Sequence, residues 1–136
     1  MNDKAFFDTN VLVYAHTDID IKKRQAAQDL ISGKKYTVIS TQVLQEISNT
    51  LFRKFKHSWP DVSSVIQQLI AYNRIHSNTA ETIARAIDIA ARYGFSFYDS
   101  LIVASALETG CSILYSEDMQ HEQKIDNILT ILNPFA

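Results

Sequence analysis

Hydrophobic and polar positions follow two rhythms along this chain. Short apolar runs of strand length stand at Ala5–Phe7 and at residues 36–39, 112–115 and 128–132, and they are rich in aromatic and branched side chains. Between them apolar residues recur every three or four positions, the spacing of one helix face. Residues 42–55 show it most clearly, with Val43, Leu44, Ile47, Leu51 and Phe55 on one stripe, and Ile21–Ser32 predicts a further helix. Ser58-Trp59-Pro60-Asp61 reads as a helix start, with a capping side chain and an early proline, leading to a helix through about Tyr72. Its apolar residues Val62, Val65, Ile66, Leu69 and Ile70 suit either core or an interface. Asn78-Thr79-Ala80-Glu81 has the spacing of a capping box before Ile83 and Ile87. Ser96-Phe97-Tyr98-Asp99 repeats that spacing before Leu101, Ile102, Ser105 and Ala106, and Gly110 supplies the stop. Strands alternating with helices predict an α/β fold with a parallel sheet covered on both faces. Such sheets bind ligands at the carboxyl ends of their strands.

Composition narrows the class. A chain of 136 residues with 46% hydrophobic and 21% charged residues, three Gly and two Pro excludes disorder and low complexity, and one domain over residues 1–136 is expected. The lone Cys111 makes no internal disulfide, which suits a reducing compartment. The first apolar run is too short for a signal peptide or a membrane span, so a cytoplasmic protein without a membrane partner is expected. The net charge of −2 gives no global field to attract nucleic acid. The distribution is uneven, however. Lys22, Lys23, Arg24, Lys34, Lys35, Arg53, Lys54, Lys56 and His57 crowd the first half, and residues 108–126 are mostly acidic. Solvated helix faces account for this as well as a local basic face does.

The candidate chemistry lies in four acids. Asp8 follows the first strand directly and Asp118 lies just past the strand at 112–115, so both fall at the carboxyl edge of the sheet. Glu46 stands beside the apolar stripe of its helix, with Asn49 and Arg53 on the same face. Asp99 falls in the first turn of a helix, near its positive end. Singly, each has a structural reading: Asp8 or Asn10 caps a helix beginning at Val11, Asp99 completes a capping box, Glu46 is solvated, and Asp118 is a turn acid. Together they need a cation. Two like unit charges about 4 Å apart repel by roughly 4 kcal/mol at an effective dielectric near 20. Oxygen donors without a Cys or His cluster select magnesium or manganese over zinc.

These residues resemble the motifs of the PIN domains, and among them the small VapC-type toxins of toxin–antitoxin pairs. "FFDTNVLVYA" is similar to the first motif, "QVLQEISNTL" to the helix bearing the acidic residue, "FSFYDSLIVASA" to the third motif and "ILYSEDM" to the fourth. The chain departs from many relatives at Gln120, where those carry a further acid, and the choice between one and two metals stays open. The resemblance implies a three-layer α/β/α fold, with a central parallel sheet of four to five short strands flanked by helices. It implies that Asp8, Glu46, Asp99 and Asp118 are the catalytic, metal-binding acids and that Thr9, Asn10 and Ser116 support them. The activity implied is metal-dependent endoribonuclease cleavage with Mg2+ or Mn2+, in which water attack leaves a 5′-phosphate and a 3′-hydroxyl. The partners implied are an RNA substrate, a cognate antitoxin and a second copy in a homodimer.

Arg53 and Tyr98 are the expected substrate contacts, one for phosphate and one for base stacking, while Trp59 suits packing at its helix start. Rival readings differ in chemistry. A metal-free ribonuclease using His16 and His121 leaves the four acids unexplained, and a phosphoryl enzyme with Asp8 as nucleophile lacks the second acid where Asn10 stands. A catalytically inactive PIN-like module that binds RNA or protein is the alternative from outside enzymes.

Overall fold

The first apolar run becomes the middle of a sheet. In the computed structural model, which describes residues 3–136, β1 (Ala5–Phe7) is fully buried and pairs in parallel with β2 (Thr37–Ser40) on one side and β4 (Ile113–Tyr115) on the other. Outward from these lie β3 (Arg74–His76) beside β2, β6 (Leu129–Leu132) beside β4, and the two-residue β5 (Lys124–Ile125) antiparallel at the far edge. The order is β3-β2-β1-β4-β6-β5. Val38, Phe6, Leu114 and Ile131 stand in register across four strands, all buried, and form the row on which the core is built.

Among the described residues six helices flank this sheet: α1 (Thr9–His16), α2 (Ile21–Ser32), α3 (Thr41–Arg53), α4 (Trp59–Tyr72), α5 (Ala80–Tyr93) and α6 (Phe97–Glu108). They pack in two groups, α5 along α6, and α1 with α2 and α3, with α4 against α3, completing the α/β/α architecture. Residues 100–107 of α6 are all buried, as befits a helix packed on more than one side. No helix among the described residues is long and apolar enough to cross a membrane.

The sheet has six strands rather than four to five, because two short edge strands escape the apolar pattern. Helix α4 stops at Tyr72, and Arg74–His76, half-exposed and polar at both ends, pairs as β3. Helix α1 starts at Thr9 rather than Val11, with Asp8 as its N-cap. The capping box of α5 sits one residue later than its spacing suggested, with Thr79 as cap and Thr82 as the reciprocal partner. Asn78 serves the tertiary fold instead: its N–H donates to Thr41 Oγ1 at 3.3 Å and its Oδ1 accepts from Ser105 at 2.7 Å.

Candidate active site

Parallel pairing sets the first two acids side by side. The Asp8 N–H donates to Tyr115 O at 2.9 Å, continuing the β1–β4 ladder one residue past the strand, and the next residue of the β4 chain is Ser116. Ser116 is fully buried, and its Oγ donates to Asp8 Oδ2 at 2.8 Å while accepting the Asp118 N–H at 3.3 Å. One hydroxyl thus ties both strand ends together. The cap of α1 supplies the second bond, Thr9 N–H to Asp8 Oδ1 at 2.7 Å. Asp8 is therefore buried with one donor on each oxygen, and each oxygen retains a further lone pair.

The first turn of α1 carries the remaining supports. Thr9 Oγ1 donates to Glu46 Oε1 at 2.7 Å, linking α1 to α3. Asn10 Nδ2 donates to Asp118 Oδ2 at 3.0 Å, and Asn10 Oδ1 accepts the Glu117 N–H at 3.2 Å, so this amide clamps the loop after β4. Asp99 enters from the first turn of α6, where its N–H donates to Ser96 Oγ at 3.2 Å. All four acids line one cleft of about 500 Å3, with Gln42, Asn49 and Lys54 of the α3 side among the other walls.

The electrostatics show the cost of this gathering. Burial pushes the Asp8 carboxyl up to about 7; the bonds from Ser116 and Thr9 oppose the rise, and the charges of Glu46 and Asp99 add to it. Asp99 is raised too, by burial first and by Asp118 as the like charge. The four acids thus form one linked field. Among the described residues, no three His, Cys, Asp or Glu side chains form a ready-made cage. The donor set is open, all oxygen and carboxylate-rich, which suits a hard cation that keeps much of its own water. Gln42 adds a buried Oε1 without a hydrogen-bond partner, its Nε2 being engaged by Tyr98 O at 3.2 Å. The site therefore fits a divalent cation.

The two expected substrate contacts lie outside this cleft. Arg53 lines a neighbouring cleft, and Tyr98 is 65% exposed, edge-on to Phe97 at 5.4 Å, beside the acids but not among the lining residues. Sequence reasoning also missed Lys54, Gln42 and Glu117. Glu117 lines the cleft as well, and there Lys23 forms an ion pair with it and Tyr14 donates to its Oε1 at 2.7 Å. Its only signal in the sequence is its place next to Asp118.

The family model described as PIN domain matches residues 5–125. No curated protein matches the chain in sequence. Among solved structures, VapC20 of Mycobacterium tuberculosis, described as a sarcin-ricin loop cleaving toxin, is 21% identical with a TM-score of 0.69, over 81% of this chain and 86% of that one. A toxin–antitoxin complex from Klebsiella pneumoniae is 18% identical with a TM-score of 0.72, over 96% of this chain and 97% of that one. VapBC2 of Rickettsia felis, bound to a DNA fragment of its promoter, is 17% identical with a TM-score of 0.66, over 94% of this chain and 96% of that one.

Proposed function

The chain belongs to the PIN domain family, and from that premise we propose that it is a divalent-metal-dependent endoribonuclease and the toxin of a toxin–antitoxin pair. The observation that carries the reading is Asp8: a carboxyl buried among other acids and raised to about 7, in a cleft that Glu46, Asp99 and Asp118 also line. Magnesium or manganese held by Asp8, Glu46, Asp99 and Asp118 supplies an acidified water and a charge to offset the transition state. The protein's own part is placement. Ser116 and the Thr9 amide fix the plane of Asp8, the Thr9 hydroxyl aims Glu46, and Asn10 holds Asp118 against the α1 turn. Lys54 brings a cation to the cleft wall for the substrate phosphate. Tyr98, exposed at the start of α6, offers a ring for an unpaired base.

The antitoxin follows from the neighbours, whose descriptions name toxin–antitoxin and VapBC assemblies. A homodimer is supported by Ile83 and Ile87, exposed one turn apart on α5. Cytoplasmic action suits the buried free thiol of Cys111.

The test is cleavage of a labelled RNA pool by purified protein with magnesium or manganese, with EDTA, and by Asp8→Asn in parallel. Cleavage that requires both metal and Asp8 is expected. Cleavage that survives EDTA would overturn the metal reading, and metal binding without cleavage of any RNA would favour a binding module.

A further inference from the structure

A second cleft, of about 660 Å3, opens beside the acids and is lined by Asn49, Phe52, Arg53, Lys56, His57 and Trp59. Asn49 lines both clefts, lying on α3 between Glu46 and Arg53, so the two are continuous along one helix face. Their walls differ in sign. The first holds carboxylates; the second holds Arg53, Lys56 and His57 and no acid. Neither Arg53 nor Lys56 forms an ion pair among the described residues, and His57 Nδ1 has no hydrogen-bond partner.

The floor is aromatic. Phe52 and Trp59 stack with centroids 4.0 Å apart and planes within 8°, yet Trp59 remains 57% exposed. The rings already cover one another on one side, so what stays open is a flat face beside unpaired cations. A purely apolar partner would strand those cations. A single-stranded nucleic acid satisfies both, with a base on the ring and phosphates on the cations. The backbone agrees: Lys56 holds a left-handed φ of 60°, a conformation in which glycine would be relaxed, and so keeps a cation at a strained corner.

We propose that this cleft binds the single-stranded RNA flanking the cut bond, with one base stacked on Trp59 and adjacent phosphates held by Arg53 and Lys56. The assignment rests on the nuclease reading above and extends it to a substrate-holding surface.

Trp59 is the chain's one tryptophan, so its fluorescence reports on this cleft alone. The probe is a short single-stranded oligouridylate, titrated in EDTA so that nothing is cut. Quenching that weakens with salt is expected. Arg53→Gln with Lys56→Gln keeps the fluorophore and should lower the slope of log affinity against log salt by roughly 1.4. Trp59→Leu, its fold checked by circular dichroism, should weaken oligonucleotide anisotropy binding roughly tenfold, and in cleavage assays should raise KM with little change in kcat. Quenching by RNA in a protein that cuts nothing with magnesium would overturn the nuclease reading and support the cleft. Cleavage with no quenching, and with KM unmoved in Trp59→Leu, would overturn the cleft alone and leave that face to a protein.

Discussion

Asp8 meets three demands with one side chain: it caps α1, bonds Ser116 across the strand ends and shares a field with Glu46 and Asp99. Its consequence for stability has a definite sign. The folded carboxyl titrates near 7 and the unfolded one near 3.8, so folding favours the protonated form. Stability contributed by this group is present below about pH 4 and is lost as pH rises through 7, to the extent of roughly 4 kcal/mol for a shift of that size. Asp8→Asn in EDTA is therefore expected to raise the midpoint of chemical denaturation at pH 8 and to leave it nearly unchanged at pH 4, while the same variant supplied with magnesium should not cleave RNA. Urea titrations at the two pH values check this, and a mutant less stable at pH 8 would contradict the charge argument. Asp8 was legible only in company, because a lone carboxylate after an apolar strand reads as a helix cap, which it also is, and only the other three acids gave it a second meaning. Gln42, Lys54 and Glu117 were not, since what brings them to the cleft is the packing of α1, α3 and the loop after β4.

The turn between α3 and α4 shows how an element boundary stores strain. The His57 N–H reaches back to Leu51 O at 3.0 Å, closing the end of α3, and Lys56 takes the left-handed corner. Lys56→Gly is expected to stabilise the fold by about 1 kcal/mol through release of that strain, seen as a higher thermal midpoint. On α5, the Thr79 hydroxyl accepts the Thr82 N–H at 3.3 Å, and Thr82 Oγ1 donates to Glu108 at 2.9 Å, so one buried threonine joins a helix start to the end of α6. Thr82→Val should cost about 1–3 kcal/mol by removing the hydroxyl that donates to Glu108 and accepts the Thr79 N–H at 3.0 Å, measured by denaturation. Most elements were legible because their apolar spacing reflects the face they bury. The exceptions share a cause: β3 and β5 are short edge strands held by a neighbour, and Thr9 and Asn10 join α1 because their side chains are anchored to Glu46, Asp118 and Glu117 rather than by intrinsic preference.

Across the whole molecule the core row and the acid cleft are one mechanical unit, since the strands that carry Phe6 and Leu114 end at Asp8 and Ser116. Leu114→Ala, fully buried between β1 and β6, should cost about 2–5 kcal/mol. Ligand linkage offers a complementary check. Magnesium added to the wild-type protein should raise its thermal midpoint with rising concentration, and should do so far less for Asp8→Asn. The doubly flanked parallel sheet was legible from the alternation of strands and helices, whereas the placement of β1 at its centre depends on pairings between distant segments that no local pattern encodes. That placement bears on the order in which the chain is made. β1 leaves the ribosome before β4 and lacks that neighbour until residue 115 has emerged, and Asp8 gains Ser116 and Asp118 only after that. A nascent chain therefore carries no complete acid cleft before residue 118 has emerged, so the charge repulsion gathered there arises only after β1, β2 and β4 can pair.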